Sequence, residues 1–583
     1  MEGPKMKKQL LTAIAVVILA VTLCIGIFAA DITVGTAQEL EAIMLNSARW
    51  SDNITLTADI DLTGIAQNPI GTYSNPFTGT FDGAGFTISG LDIATPETVL
   101  EGDGTLATVD DITAGLFGVI KGATVKNLTV KGKVVNNFVP KNAESKVEGN
   151  HSATGGIIGV ALLGSRLENL TNMAEVTGPC HVGGVAGYLR NFDEDGVNDT
   201  LVAVSCSNYG TLTPSLGNCG GVFARIYAKS TFDGVAVSVD GCSNFADLSS
   251  ASVDRNRLAA IAGYVRTEEG IVEIKNCRNE GNITGDGTNA EGSNRPFVGS
   301  VIGRAEVHGV AANPEKGTEL SGTTSALQIS NCVNIGDMNS TYCAGGMVSL
   351  LSTAAVCTEN PTFITNCLNT GKITGPSYAG GIISYTNCTN PAADADGNPL
   401  TIPYITNCLN TGAVEMGSYS AGIIGQVKNV TVANNVTTEN MVYRVAATDA
   451  GTYSVVENNY YVKGNMVEMA PVGNNTSLEF EQLTDASIYT ALDFENTWVM
   501  GDKCPMLKMA ENEVVNISAP IDIGALIPQL PEETTAPETT AVEETTAAPA
   551  TEEGSFPVAI VVIAAVVVIA VVAVVVVVSK KKK

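Results

Sequence analysis

A six-residue motif, Asn-Cys-x-Asn-x-Gly, returns along this chain at nearly constant spacing. It reads Asn276-Cys277-Arg278-Asn279-Glu280-Gly281, and full copies follow at Cys332, Cys367 and Cys408. Looser copies surround Cys206 and Cys242. Degenerate copies place Leu91, Leu128 and Leu170 at the cysteine position on the N-terminal side, and Val436 and Tyr460 on the C-terminal side. Successive copies lie 37, 42, 36, 36, 35, 55, 35, 41, 28 and 24 residues apart, so most cluster near 35. A fixed period of that length is the signature of a solenoid, in which each repeat buries its apolar side only against its neighbours.

Between these motifs the apolar residues follow no helical period, which argues against a helical solenoid. A second motif precedes most copies, as in Gly115-Leu116-Phe117-Gly118, Gly183-Gly184-Val185-Ala186-Gly187 and Gly380-Gly381-Ile382-Ile383-Ser384. A short apolar piece such as Lys372-Ile373-Thr374 follows each asparagine turn. Three short strands per repeat make one rung of an all-β solenoid. The 60 glycines and 5% aromatic content suit many tight turns and small side chains. About eleven rungs, stacked ~4.8 Å apart, give a rod on the order of 50 Å long.

Stacking places equivalent residues in ladders. Leu, Val and Tyr replace Cys at its position, so Cys206, Cys242, Cys277, Cys332, Cys367 and Cys408 are expected as a buried structural ladder of free thiols. Asn208, Asn244, Asn279, Asn334, Asn369 and Asn410 are expected in left-handed turns, with amides bonded from rung to rung. Residues 36–46 have the spacing of a short amphipathic helix that caps the first coil, and Trp498, Pro505 and Leu507 are expected to close the far end. Cys180, Cys219, Cys343, Cys357, Cys388 and Cys504 lie outside the ladder and are open to disulfide pairing in an oxidising compartment.

The ends of the chain carry an address. Lys5, Lys7 and Lys8 precede an apolar run to residue 30, the pattern of a secretory signal peptide over 1–30. Residues 31–509 form the ectodomain. Residues 510–555 are rich in Pro, Thr and Glu and cannot build a core, which predicts a disordered stalk. Residues 556–578 are uninterrupted apolar sequence, ~35 Å as a helix, enough for one transmembrane helix. The lysine tail 579–583 then sits in the cytoplasm by the positive-inside rule. The expected location is the cell membrane, single-pass, with the ectodomain extracellular.

The Gly115-Leu116-Phe117-Gly118 series followed by Asn-Cys-x-Asn-x-Gly turns resembles the GLUG repeats of bacterial cell-surface proteins. The stretch from Asp59-Ile60-Asp61 through Phe81-Asp82-Gly83-Ala84-Gly85 resembles the first coils of the same proteins. The resemblance covers roughly residues 32–507. It implies a right-handed parallel β-helix of the pectin-lyase-like type, and it identifies an architecture rather than an activity.

A net charge of −28 excludes phosphate-backbone binding as the main task, so no nucleic acid partner is expected. Three histidines are too few for imidazole-rich metal sites, and Cys180-His181 lacks the second close pair that zinc needs. No pair of carboxylates, nucleophile motif or His-Glu-x-x-His stands out, and charged residues do not converge on one groove in the sequence. Catalytic residues are therefore not assigned. The acidic loops at Asp193 and Asp195, and at Asp394, Asp396 and Asn398, are fragments of a calcium loop without its distal Glu; a solvated turn is the default, and no cofactor is assigned. Insertions at 191–200, 304–325, 351–361 and 385–401 share one phase of the repeat and should emerge on one side. Asp193, Asp195, His308, Glu315, Lys316, Asp394 and Asp396 are the candidate binding residues there. The expected function is an adhesin or binding protein for a glycan, host or neighbouring-cell surface, without catalysis. The alternative is a polysaccharide lyase or glycoside hydrolase on the same scaffold.

Overall fold

The computed structural model describes residues 29–96, 112–138, 152–192, 199–229, 234–251, 256–287, 295–308, 324–354, 360–389, 402–415, 417–440, 453–462, 474–511 and 513. All belong to one compact unit spanning residues 1–527. The signal peptide, stalk, transmembrane and tail assignments lie essentially outside the described residues; among those described, no helix is long and apolar enough to cross a membrane.

The chain winds into stacked coils joined by parallel pairing. One coil runs through Leu201–Val204, Ser207–Asn208, Leu212–Pro214, Asn218–Gly220 and Phe223–Lys229, and the next through Val235–Asp240, Ser243–Asn244, Leu248–Ser250, Arg257–Ala259 and Ala262–Glu269. Equivalent residues pair across coils, for example Leu201 with Val237, Asn208 with Asn244, Cys219 with Leu258 and Ile226 with Val265. A coil thus carries five short strands where the motifs suggested three. A left-handed residue, Ser205, Asn276 or Asn331 (φ 54° to 55°), breaks the first strand in two. The glycine pair does the same to the last.

Stacking builds a long asparagine sheet, a sheet of short strands from Thr113–Ala114 to Tyr419–Ala421, and a sheet of longer strands from Phe117–Lys121 to Ile424–Gln426. A smaller sheet runs from Leu248–Ser250 to Val414–Glu415. The cross-section is bent. One core lies between the asparagine and long-strand sheets and contains the six ladder cysteines. A second, with Val182, Cys219, Leu258 and Val298 facing Leu248, Ile283 and Ile373, lies between the small and short-strand sheets.

At the bend the two sequence motifs meet. The amide of Asn172 donates to Asn208 Oδ1 at 2.9 Å, and the chain of amides continues through Asn244, Asn279, Asn334 and Asn369 to Asn410 at 2.7–3.1 Å. The second amide hydrogen of each goes to the carbonyl two residues on, as from Asn334 to Gly336 at 2.9 Å. The second glycine of the other motif packs against this ladder. A Cβ on Gly184 would lie 2.3 Å from Asn208 Oδ1, and one on Gly381 2.3 Å from the Asn410 carboxamide carbon. Real Cβ contacts are longer, which is why the corner selects small residues, with Ala260 and Ser300 at the same step. These ladder asparagines are strand residues. The left-handed turn falls on the asparagine before the cysteine, such as Asn276, Asn331, Asn366 and Asn407 (φ 54° to 55°).

The cysteine ladder holds from Cys206 to Cys408 as free, buried thiols. Burial pushes Cys206, Cys277, Cys332 and Cys367 well above the ordinary thiol range. Three degenerate assignments are corrected by register. Leu409 pairs with Val436 and Val436 with Tyr460, so the cysteine step is occupied by Asn435 and then Asn459. Asn435 donates to Asn459 at 2.9 Å and Asn459 to Asn475 at 2.8 Å, a second amide ladder that replaces apolar filling with hydrogen bonds. At the other end Thr129 pairs with Thr87, which puts Phe86 rather than Leu91 beside Leu128. Cys180, Cys219, Cys343, Cys388 and Cys504 are free and buried, so no disulfide forms among them; Cys357 lies outside the described residues.

The first coil is covered by the helix Ala37–Met44, which buries Leu40, Ile43 and Met44 and starts with a reciprocal capping box between Thr36 and Glu39. The C-terminal segment differs from the expected plug. Outward residues of the asparagine sheet read Ser207, Ser243 and Arg278, then Val333, Leu368, Leu409, Val436 and Tyr460 along one register. The apolar half of that row is buried with Leu483, Tyr489, Leu492, Trp498, Cys504 and Leu507. Trp498–Met500 and Pro505–Leu507 form an antiparallel pair, and Glu513 reaches Arg278 as an ion pair. The segment runs back along the side of the coils rather than across their end.

Candidate functional site

The bend leaves a re-entrant corner on its outer side, where the short-strand and long-strand sheets face each other. Strands alternate in and out, so the second and fourth residues after each corner's apolar pair point outward. In the long-strand sheet one outward row is Tyr188, Arg225, Tyr264, Arg304, Leu350 and Tyr385, one residue per coil. The next is Arg190, Tyr227, Arg266 and Glu306. In the short-strand sheet the facing row is His181, Asn218, Arg257, Phe297, Cys343, Tyr378 and Tyr419.

These rows touch across the corner and make a continuous strip. The ring of His181 meets Tyr188 edge-on at 5.6 Å, and Arg225 Nη1 lies 3.3 Å from His181 Nε2. The Arg257 guanidinium sits 4.1 Å over the ring of Tyr264, and Arg225 lies 4.9 Å over Tyr188. Further along, Arg304 lies 5.8 Å from the Phe297 ring, and Arg295 covers Tyr342 at 4.8 Å while donating to its hydroxyl at 3.0 Å. Tyr378 then stacks on Tyr385 at 4.5 Å and on Tyr419 at 5.0 Å. Tyr188, Arg225 and Tyr264 form a buried floor; Arg257, Phe297, Tyr342, Tyr378, Tyr385 and Tyr419 are half-buried along the walls, and Arg295 is exposed.

Three carboxylates lie in or beside the strip, Glu268, Glu269 and Glu306, and two of them are held below the usual carboxylate range. Burial works to raise Glu306, but its hydrogen bond with His308, the Arg304 charge, the Tyr264 hydroxyl and Arg257 outweigh it and hold the carboxyl well below its usual range. Tyr264 donates to Glu306 at 2.7 Å, and Arg304 pairs with it at 2.6 Å. For Glu268, burial is likewise overcome by the Tyr227 hydroxyl and by Arg266. The lowered pKa of each favours its ionised form, the state of a base or an ion-pair partner rather than of a proton donor.

Of the candidate binding residues read from sequence, His308 is described. It ends the strand Ile302–His308, half-buried, with Nε2 3.1 Å from Glu306 Oε2. Asp193, Asp195, Glu315, Lys316, Asp394, Asp396 and the calcium candidate Asn398 lie outside the described residues. The described ends of their segments do gather. Phe192 and Lys229 pair, as do His308 and Ala354, all at the same ends of neighbouring long strands. A second set of connections, 252–255 and 288–294, leaves instead from between the small and short-strand sheets. Among the described residues no group of three or more His, Cys, Asp or Glu is placed to hold a metal ion.

The expectation that charged residues do not converge is overturned by the strip. Its members form no repeat in the sequence because their identity changes at every coil. The available signal was the alternation after each corner: Tyr188-Leu189-Arg190, Arg225-Ile226-Tyr227, Tyr264-Val265-Arg266 and Arg304-Ala305-Glu306.

No family model matches the chain, and no curated protein matches it. Among solved structures, the chain is similar to one named as a putative immunoglobulin A1 protease from Bacteroides ovatus. The two are 14% identical, with 82% of this chain and 92% of that one covered and a TM-score of 0.31. That likeness is too distant to carry an argument about activity.

Proposed function

We propose that the chain is a bacterial surface protein of the GLUG-repeat kind that binds a glycan, host or neighbouring-cell surface and does not catalyse a reaction. In this reading the stacked coils form a right-handed parallel β-helix of about eleven rungs. It is exported by residues 1–30, held by residues 556–578 and spaced from the membrane by the stalk 510–555. The observation that carries the reading is the strip of arginines and aromatic rings, which spans seven coils beside the edge where insertions leave. Half-buried tyrosines stacked on one another along the coils offer ring edges and hydroxyls, and the arginines beside them offer guanidinium donors; both are residue types that dominate binding surfaces.

The alternative, a polysaccharide lyase or hydrolase, uses the same strip. The lowered pKa of Glu268 and Glu306 weighs against either as the proton donor that a hydrolase needs, whereas the convergence of carboxylates with arginines in one groove is the feature that favours an enzyme and leaves a lyase's base open. A glycan array probed with the full-length chain, run beside a reducing-sugar release assay on each captured glycan, separates the two. Capture without release supports the binding protein. Release of reducing ends supports the enzyme, and no capture of any glycan sends the function away from sugars.

A further inference from the structure

Resting on the reading of the strip as a glycan site, we propose that its ligand is an acidic glycan, a sugar chain bearing carboxylate or sulfate groups, laid lengthwise along the coils. The first argument is charge. The chain carries −28 in total, yet the strip gathers Arg190, Arg225, Arg257, Arg266, Arg295 and Arg304 with Lys229 against Glu268, Glu269 and Glu306. A local positive excess in a re-entrant, partly dry corner draws anions, and the negative charge elsewhere repels them, so the field points an anionic ligand to this corner. Guanidinium groups are planar forks matched to carboxylate and sulfate oxygens.

The second argument is order along the axis. His181, Asn218, Arg257, Phe297, Cys343, Tyr378 and Tyr419 occupy successive coils, a run of about 29 Å at ~4.8 Å per step. Over that run the strip changes from arginine-over-tyrosine, at Arg257 and Tyr264, to tyrosine-on-tyrosine, at Tyr378, Tyr385 and Tyr419. A linear chain of rings with periodic charges fits both halves: charged groups sit at the arginines, and the sugar rings lie along the edges and hydroxyls of the stacked tyrosines. A small anion would use the first half alone, and a neutral sugar the second.

The test uses immobilised full-length protein and four probes: chondroitin, chondroitin sulfate, carboxyl-reduced unsulfated chondroitin and dextran. Binding of chondroitin or its sulfate at least about tenfold tighter than the two neutral chains, weakened by 0.5 M salt, is expected. The first probe against the second separates carboxylate from sulfate as the recognised group. Arg257→Gln and Arg295→Gln should each weaken the charged probe by about three- to tenfold. Arg295 is exposed, so its replacement does not threaten folding. Arg166→Gln, on the exposed side of the asparagine sheet, should leave binding unchanged. Tyr378→Ala should weaken charged and neutral chains alike. Equal binding of all four probes, lost in Tyr378→Ala but not in the arginine variants, would overturn the acidic ligand and leave the glycan reading standing. Binding of no probe, with the strip variants indistinguishable from wild type on the array, would overturn both.

Discussion

At the residue scale, one asparagine per coil does the work that a large apolar side chain does in other cores. Asn334 donates to Asn369 and to Gly336 and accepts from Asn279, all buried. Asn334→Leu leaves an amide hydrogen of Asn279 and the oxygen of Asn369 short of partners, and is expected to cost about 2–4 kcal/mol in chemical denaturation. Cys367→Val, a near volume-conserving change in the adjacent ladder, should cost about 1 kcal/mol or less. A similar loss for both would mean that the amide bonds contribute nothing beyond shape. The carboxylates give a second expectation. Because Glu306 is held below its unfolded value, its contribution is fully present above an unfolded pKa of about 4.3 and is lost as pH falls toward the folded value. Thermal scans from pH 7 to pH 3 should therefore show a smaller acid-side loss in Glu306→Gln than in wild type. Parallel curves for the two proteins would remove Glu306 from that account.

The cysteine and asparagine ladders were legible in sequence because a parallel solenoid repeats a position each time it repeats a coil. Legibility fails where the coil shortens. Val436 and Tyr460 are apolar and follow at 28 and 24 residues, yet the doublets Asn434-Asn435, Asn458-Asn459 and Asn474-Asn475 carry the register. In the first two doublets the leading asparagine is left-handed, at φ 59° and 57°, and the second bonds the next coil. An amide fills a cysteine's step where backbone groups and further amides meet its hydrogen bonds: Asn435 accepts from the Cys408 N–H and donates to Ile405 O and Asn459, a set of partners no single position displays.

At the element scale, the long-strand sheet is a fixed platform whose far edge tolerates additions. The longest added piece was read from sequence as 304–325, but Arg304, Glu306 and Val307 are strand residues built into the strip and the core. The addition proper is 309–323. Replacing 309–323 with a tight turn should shift the melting temperature little, since loop length contributes only logarithmically to stability. It should reduce adhesion if the insertions share ligand contacts with the strip. A cooperative loss of folding would mean that the segment is part of the core, and full adhesion would leave the strip as the binding surface by itself. The row from Ser207 to Tyr460 shows the same logic from the other side. It is polar where water meets it and apolar where the C-terminal segment lies, a switch visible in sequence only once the coils are in register.

At the scale of the whole molecule, the coils of the unit spanning residues 1–527 stack through parallel sheets and carry one built surface, and the proposal adds a tether. If residues 556–578 are the anchor, a chain truncated after residue 555 should appear in the medium after export. Retention in the membrane would assign the anchoring to the N-terminal apolar run. The central claim is that the strip between the short-strand and long-strand sheets is where this protein meets its partner. The most direct measurement is equilibrium binding of the full-length chain, wild type against an Arg257→Gln/Tyr378→Ala double variant, to whichever array glycan the wild type captures. Melting temperature and far-ultraviolet circular dichroism are recorded on both. The account predicts a loss of at least about tenfold in affinity, from two separated contacts that add, with both folding measures unchanged. Unaltered affinity in a folded double variant would contradict it.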